Sequence, residues 1–164
     1  MAIFEIYGNK NQPVKRVTKA IGRACFLSGF RVLDYVENKG EFLVGVVKTT
    51  KDDMLSIGRD SADFLITLDS EFLKKIPKSK IKQGSTVLLN SKIKIAMKKY
   101  KTKNFIIDAD EISEDEKKFS SAISGAVTKL DGCISVKNMK KALDIEFSSI
   151  DGFDEGYKSV KQLR

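Results

Sequence analysis

Residues 2–17 read AIFEIYGNKNQPVKRV, and the reading of this stretch decides the fold. Ala2 to Tyr7 has the composition of a β-strand, Gly8 breaks it, and a helical pattern starts at Pro13, where a missing N–H is no loss. A strand, a short polar loop and a helix, in that order, open an α/β fold. They set the loop at a helix N-terminus, where proteins of this class cradle phosphates. Gly8, Asn9, Lys10, Asn11 and Gln12 are therefore the candidate ligand residues, although only one of them is glycine.

The strand and helix rhythm continues outward from there. The first helix is expected from Pro13 to Ser28, with Val17, Ala20, Ile21, Ala24 and Leu27 at helical spacing and Gly29 as its stop. FRVLDYV and FLVGVVKT, separated by Asn38, Lys39 and Gly40, predict an antiparallel pair. Residues 62–68, ADFLITL, are apolar at successive positions, as in a central parallel strand covered on both faces. Asp69 and Ser70 then cap a short helix that Pro77 closes. TVLLN, the amphiphilic IKIAMKKY and the strand FIIDA follow.

The last third is helical. Ser113 and Glu116 have capping-box spacing ahead of a stripe made by Phe119, Ala122, Ile123, Ala126, Val127 and Leu130. Ser121 and Gly125, one turn apart, leave room for another element to approach closely, and a partner protein is expected on that helix or on nearby loops. Ser135 caps a further helix with Val136, Met139, Leu143 and Phe147 inward, and Phe153, Tyr157 and Val160 mark a short closing helix. The fold class expected is α/β: a three-layer α/β/α domain with a mostly parallel, mixed central sheet.

Composition bounds the function. At 164 residues, 41% hydrophobic and 32% charged, with two prolines, the chain reads as one domain over residues 1–164 with a core of its own. No apolar run approaches the roughly 20 residues of a membrane span, and the N-terminus reads as a strand rather than a targeting segment. The cytoplasm is the expected compartment. There is no histidine, and the two cysteines, Cys25 and Cys133, belong to no CxxC pair. A triad, a zinc site or a four-thiolate cluster built by this chain is not expected. The sequence therefore names no catalytic residue and no metal ligand.

Thirty basic residues against 22 acidic ones give a net charge of +8, and 25 of the 30 are lysines. Lysine lacks the planar fork that reads bases or clamps phosphate, so nucleic acid is not the expected partner. Residues 74–103 nevertheless hold eleven lysines and no acid, and two readings stay open for them: a solvated surface, or a docking face for an acidic partner.

With these elements in order, the chain resembles the gamma subunit, or gamma domain, of the 2-oxoacid:ferredoxin oxidoreductases, the pyruvate and 2-ketoisovalerate group. FSSAISGAVTKLDGCISVKNMKKALDIEF with DEGYKSV behind it, and SADFLITLDSEFL, carry the resemblance, which spans nearly the whole chain. It implies an accessory subunit of a complex that oxidatively decarboxylates a 2-oxoacid to an acyl-coenzyme A. It also implies thiamine diphosphate and iron-sulfur clusters on partner chains, ferredoxin as an indirect partner, and coenzyme A as the ligand class for residues 8–12. Two features depart from the family pattern. Its G-x-G-G-Q-G loop reads GNKNQP here, matching only at Gly8 and Gln12, and the long loop between strands two and three is replaced by the brief VENKGEF. The loop is accordingly expected to be degenerate. Two alternatives remain: a stand-alone domain binding nucleic acid or an acidic protein through its lysine-rich middle, and an independent phosphate-ligand-binding protein.

Overall fold

The computed structural model describes residues 1–52, 61–95 and 101–163. Its centre is a seven-stranded mixed sheet made of β1 (Ala2–Asn9), β2 (Arg31–Asn38), β3 (Phe42–Thr50), β4 (Ala62–Thr67), β5 (Ile81–Asn90), β6 (Lys103–Ile107) and β7 (Lys161–Gln162). The strand order is β2-β3-β1-β4-β5-β6-β7. β1, β4, β5 and β6 run parallel, β3 is antiparallel to both β1 and β2, and β7 closes the far edge antiparallel to β6. The hairpin expected at Asn38, Lys39 and Gly40 is present, and the tight turn needs the φ of +85° that Gly40 supplies.

Five α-helices occur among the described residues: α1 (Val14–Leu27), α2 (Ala109–Ile112), α3 (Glu116–Asp131), α4 (Val136–Phe147) and α5 (Phe153–Ser159). Their apolar stripes meet Phe4, Ile6, Ile66, Leu68, Leu88 and Ile107 on one face of the sheet. On the other face Ile3, Tyr7, Leu65, Val87 and Leu89 meet Phe72 and Ile76, carried by the 3-10 turn Ser70–Lys75 and its exit. The result is the three-layer α/β/α architecture expected. It explains why apolar residues stand at successive positions within β1, β4 and β5, since alternation survives only where one face is wet.

Local signals were mostly read correctly, with informative shifts. Asp69 caps the 3-10 turn through the Glu71 amide (3.0 Å), and Ser135 caps α4 through the Asn138 amide (3.1 Å). The cap of α3 is Asp115 rather than Ser113: its Oδ1 accepts from the Lys117 and Lys118 amides at 3.1 and 2.9 Å, while Ser113 ends α2. Val136, expected inward, is 40% exposed in the first turn of α4, before the helix reaches the core. The run at residues 93–100 lies mostly outside the described residues.

The spacing of Ser121 and Gly125 finds its partner within the chain. A Cβ on Gly125 would lie 2.2 Å from the Phe153 carbonyl oxygen, and one on Gly156 would lie 2.0 Å from that of Ala122, so α3 and α5 touch backbone to backbone. Ser121 is fully buried and its hydroxyl has no hydrogen-bond partner. The helix face carrying Ser121 and Gly125 is therefore taken by α5, which corrects the expectation of a partner at that face and leaves the nearby loops as its expected place.

The contact sets a stability prediction. In Gly125→Ala the added methyl meets a backbone carbonyl that cannot rotate away, and the cost of overpacking a tight contact is about 1–3 kcal/mol. Urea denaturation should show an unfolding free energy lower than that of the wild type by that margin, seen as a lower midpoint with an unchanged slope.

Candidate functional site

Residues 8–12 leave the C-terminal end of β1 beside β4, at the point where the chain connectivity runs left to β3 and β2 and then right to β4. Open α/β sheets bind ligands at this switch point, outside the carboxyl ends of the strands. The structure thus brings Gly8, Asn9, Lys10, Asn11 and Gln12 to the position the sequence assigned to them. What they do there differs from a phosphate cradle.

The loop is closed on itself. Gln12 folds back so that its Oε1 accepts from the Asn9 amide at 2.9 Å and its Nε2 donates to the Leu68 carbonyl at 3.1 Å. The Asn11 amide donates to Asn9 Oδ1 (2.9 Å), the Gln12 amide to the Asn9 carbonyl (3.1 Å) and the Val14 amide to the Gln12 carbonyl (2.8 Å). Four amides a cradle would aim at a ligand are thereby satisfied internally. Asn11 does not use the left-handed backbone open to asparagine, because Ser148 is the one non-glycine with positive φ among the described residues. A Cβ on Gly8 would stand 2.7 Å from Val14 Cγ2 and 3.0 Å from Gln12 Oε1, so packing holds that position to glycine.

Charge gathers beside the closed loop. Pro13 stands at the N-cap of α1 with no side-chain cap, and the first turn brings Lys15 and Arg16 to the positive end of the helix dipole. A cation there is disfavoured by about 0.3–1 kcal/mol, so helix stability does not account for the pair. With Lys10 and Lys19 they line an open pocket of about 510 Å3, completed by Glu116 from α3 and by Glu146 and Phe147 from α4. Arg16 pairs with Glu116 at 3.1 Å and lies 5.6 Å over the Phe147 ring, and Lys19 pairs with Asp34 at 3.0 Å. Lys10 and Lys15 are exposed and hold no ion pair among the described residues. The sequence reading missed Lys15, Arg16 and Lys19. Their spacing, with Lys15 and Lys19 one turn apart, was visible, but the acids that complete the pocket come from helices a hundred residues on.

Two other groups of residues come out differently from the sequence reading. Cys25 and Cys133, far apart in sequence, line one cleft of about 140 Å3 together with Asp131. Cys25 is buried, and desolvation first, then the nearby Asp131 and Cys133, push its thiol up to about 12. Among the described residues no group of three metal-ligating side chains occurs. In the lysine-rich segment, Lys75, Lys80 and Lys82 are each paired with an acid from elsewhere in the fold, Glu41, Glu5 and Asp63, so part of that charge is neutralised within the protein.

Comparison with known proteins follows this geometry. The sequence profile of the family described as pyruvate ferredoxin/flavodoxin oxidoreductase matches residues 6–159. A comparison with curated protein sequences finds no match. Among solved structures, pyruvate oxidoreductase subunit PORC of Thermotoga maritima superposes with a TM-score of 0.78 at 18% identity, over 100% of both chains. The gamma subunit of a keto/oxoacid ferredoxin oxidoreductase of Geobacter sulfurreducens gives 0.77 at 14% identity, over 97% of this chain and 95% of that one. The 2-oxoglutarate:ferredoxin oxidoreductase of Magnetococcus marinus gives 0.79 at 17% identity, with 95% of this chain matching 30% of that longer one.

Two outcomes test this geometry. Gln12→Ala removes the acceptor of a half-buried amide and should cost about 1–2 kcal/mol in urea denaturation, with faster hydrogen exchange at Asn9. At pH 8 a thiol reagent should modify Cys133 at once and leave Cys25 untouched until the protein unfolds.

Proposed function

The chain belongs to the pyruvate ferredoxin/flavodoxin oxidoreductase family, and on that premise we propose that it serves as an accessory, gamma-type subunit of a 2-oxoacid:ferredoxin oxidoreductase complex. The observation that carries the proposal is coextension: end to end, the fold matches chains that are themselves separate subunits of such enzymes. The chain's chemistry points the same way. With no histidine and with two cysteines, one of them a buried thiol, it offers no imidazole base and too few thiolates for a four-thiolate cluster. Thiamine diphosphate, iron-sulfur clusters and the exchange with ferredoxin belong to partner chains in this reading, and the 2-oxoacid is of the pyruvate kind.

Coenzyme A is the ligand class the family resemblance implies for the loop after β1, and the residues there do not fit it as a cradle. Gln12 holds the space and the amides that a pyrophosphate would need. What remains is side-chain charge from Lys10 and Lys15 at the mouth of the α1 pocket. The loop is thus read as a relic, and the charge beside it as a surface that meets acidic groups of neighbouring subunits. A cytoplasmic location accords with such a complex.

Affinity capture of the tagged chain from its native cells should recover thiamine-binding and ferredoxin-like subunits. The purified chain alone should reduce no artificial acceptor when given pyruvate and coenzyme A; turnover by it would overturn the reading. Calorimetry with coenzyme A should show no saturable heat, whereas a micromolar isotherm abolished by Lys10→Ala would show that the loop still works.

A further inference from the structure

The sheet face carrying Ile3, Glu5 and Tyr7 is only partly roofed. Beside the 3-10 turn, a groove of about 320 Å3 runs over β1, β3 and β2 as far as Pro77 and Lys80. Small-molecule sites occupy roughly 300–1,000 Å3, so the groove is large enough for a modest ligand. It is separate from the pocket at α1: neighbouring residues of a strand face opposite sides, and Leu43 lines that pocket while Val44 lines the groove.

Its floor is an ion pair. Glu5 is 3% exposed at the middle of a strand paired on both sides. Its Oε2 accepts a 2.5 Å hydrogen bond from the Tyr7 hydroxyl, and its Oε1 lies 3.1 Å from Lys80 Nζ. Burial, and then the bond to Glu5, push the Tyr7 phenol far above its ordinary value, so it remains a donor. Glu5 is the buried partner, its side chain 4% exposed against 32% for Lys80, and a carboxylate taken out of water costs stability that an apolar residue of similar size would not. Here the pair is joined to open space, which a purely structural pair does not require.

The walls divide by chemistry. Phe42, Val44, Val46 and Pro77 are apolar, and Tyr35 adds a second ring. The charged lining is four lysines, Lys39, Lys48, Lys75 and Lys80, and two glutamates, Glu5 and Glu37. Lys39 pairs with Glu37 at 2.5 Å and Lys75 with Glu41 at 3.4 Å, each lysine side chain being 49% exposed. Pairs so open to water are worth about 0–1 kcal/mol, so either lysine can turn to a ligand at little cost.

We propose that this groove binds a small organic anion, its carboxylate or phosphate held by Lys80 and the rim lysines Lys39 and Lys75, its apolar body laid against Phe42, Val44 and Val46. Glu5 offsets part of the Lys80 charge at the floor and so limits the affinity of the groove for an anion. The proposal does not rest on membership of a complex, and its test needs the purified chain alone.

The probes are 3-phenylpropionate, phenyl phosphate and the uncharged 3-phenylpropanol, titrated while the methyl resonances of Val44 and Val46 are followed by NMR. At least one of the anions should shift those methyls saturably, at least tenfold more tightly than the alcohol. Response to the carboxylate alone identifies an organic acid as the ligand class, and response to the phosphate alone a phosphomonoester; either supports the site. The double variant Lys39→Ala with Lys75→Ala, confined to exposed side chains, should weaken the anion at least threefold. Glu5→Gln, which removes the negative charge from the floor, should tighten it. No saturable shift with either anion, equal affinity for the alcohol, or failure of either variant to change affinity in the stated direction overturns the proposal.

Discussion

One backbone carbonyl, that of Leu68, holds the working end of the sheet together. It accepts from Gln12 Nε2 at 3.1 Å and from Asn90 Nδ2 at 2.9 Å, while the Leu68 amide donates to the Tyr7 carbonyl. Asn90, buried at the end of β5, extends the network by accepting from the Ala109 amide and donating to Asp110, both at 2.8 Å. The ends of β1, β4 and β5, the loop before α1 and the start of α2 are thus fixed by two amide side chains converging on one acceptor. Both lone pairs of that oxygen are used, as burial demands. A loop tied this firmly has little freedom to reopen around a ligand, and this closure shapes the rest of the site.

The elements that were legible in the sequence are those whose signal is local. The stripe Val17, Ala20, Ile21 and Ala24 and the stripe Phe119, Ala122, Ile123, Ala126 and Val127 are buried as their spacing requires. The apolar residues at successive positions Phe64 to Ile66 of β4 announced two covered faces. What stayed hidden depends on partners distant in sequence. β7 is two polar residues that become a strand only because β6 offers an edge. Asp115 and Ser113 are both good caps, and the choice between them follows from the short α2 that precedes α3. The Glu5 and Lys80 pair joins residues 75 positions apart, and nothing near Glu5 in sequence announces it. The site residues were legible in place and not in state: the position of residues 8–12 followed from strand and helix, whereas their closure hangs on where the Gln12 side chain turns.

Family membership and the loop's chemistry describe two levels of the same molecule. The architecture persists at sequence identities of 14–18% because it needs only apolar faces, small residues at contacts such as that of α3 with α5, and competent turns. The site asks for more: open amides and empty space at the end of β1. A cation-rich first turn in α1 beside a self-satisfied loop keeps the position electropositive although its backbone amides are taken.

The central place of β1 has a consequence for how the molecule is made. Within this chain β1 is made before either strand it pairs with, β3 on one side, where Ala2 meets Thr49, and β4 on the other, where Phe4 meets Phe64. β3 is complete only after about 40 further residues and β4 after about 60, roughly 2–8 s and 3–12 s at 5–20 residues per second. During that interval AIFEIY is an unpaired, strand-prone hexapeptide with one charge in it. Glu5 makes the waiting strand a poorer template for pairing with other chains, as a gatekeeper charge does within a sticky segment. The same side chain that is costly in the finished sheet thus guards the nascent one.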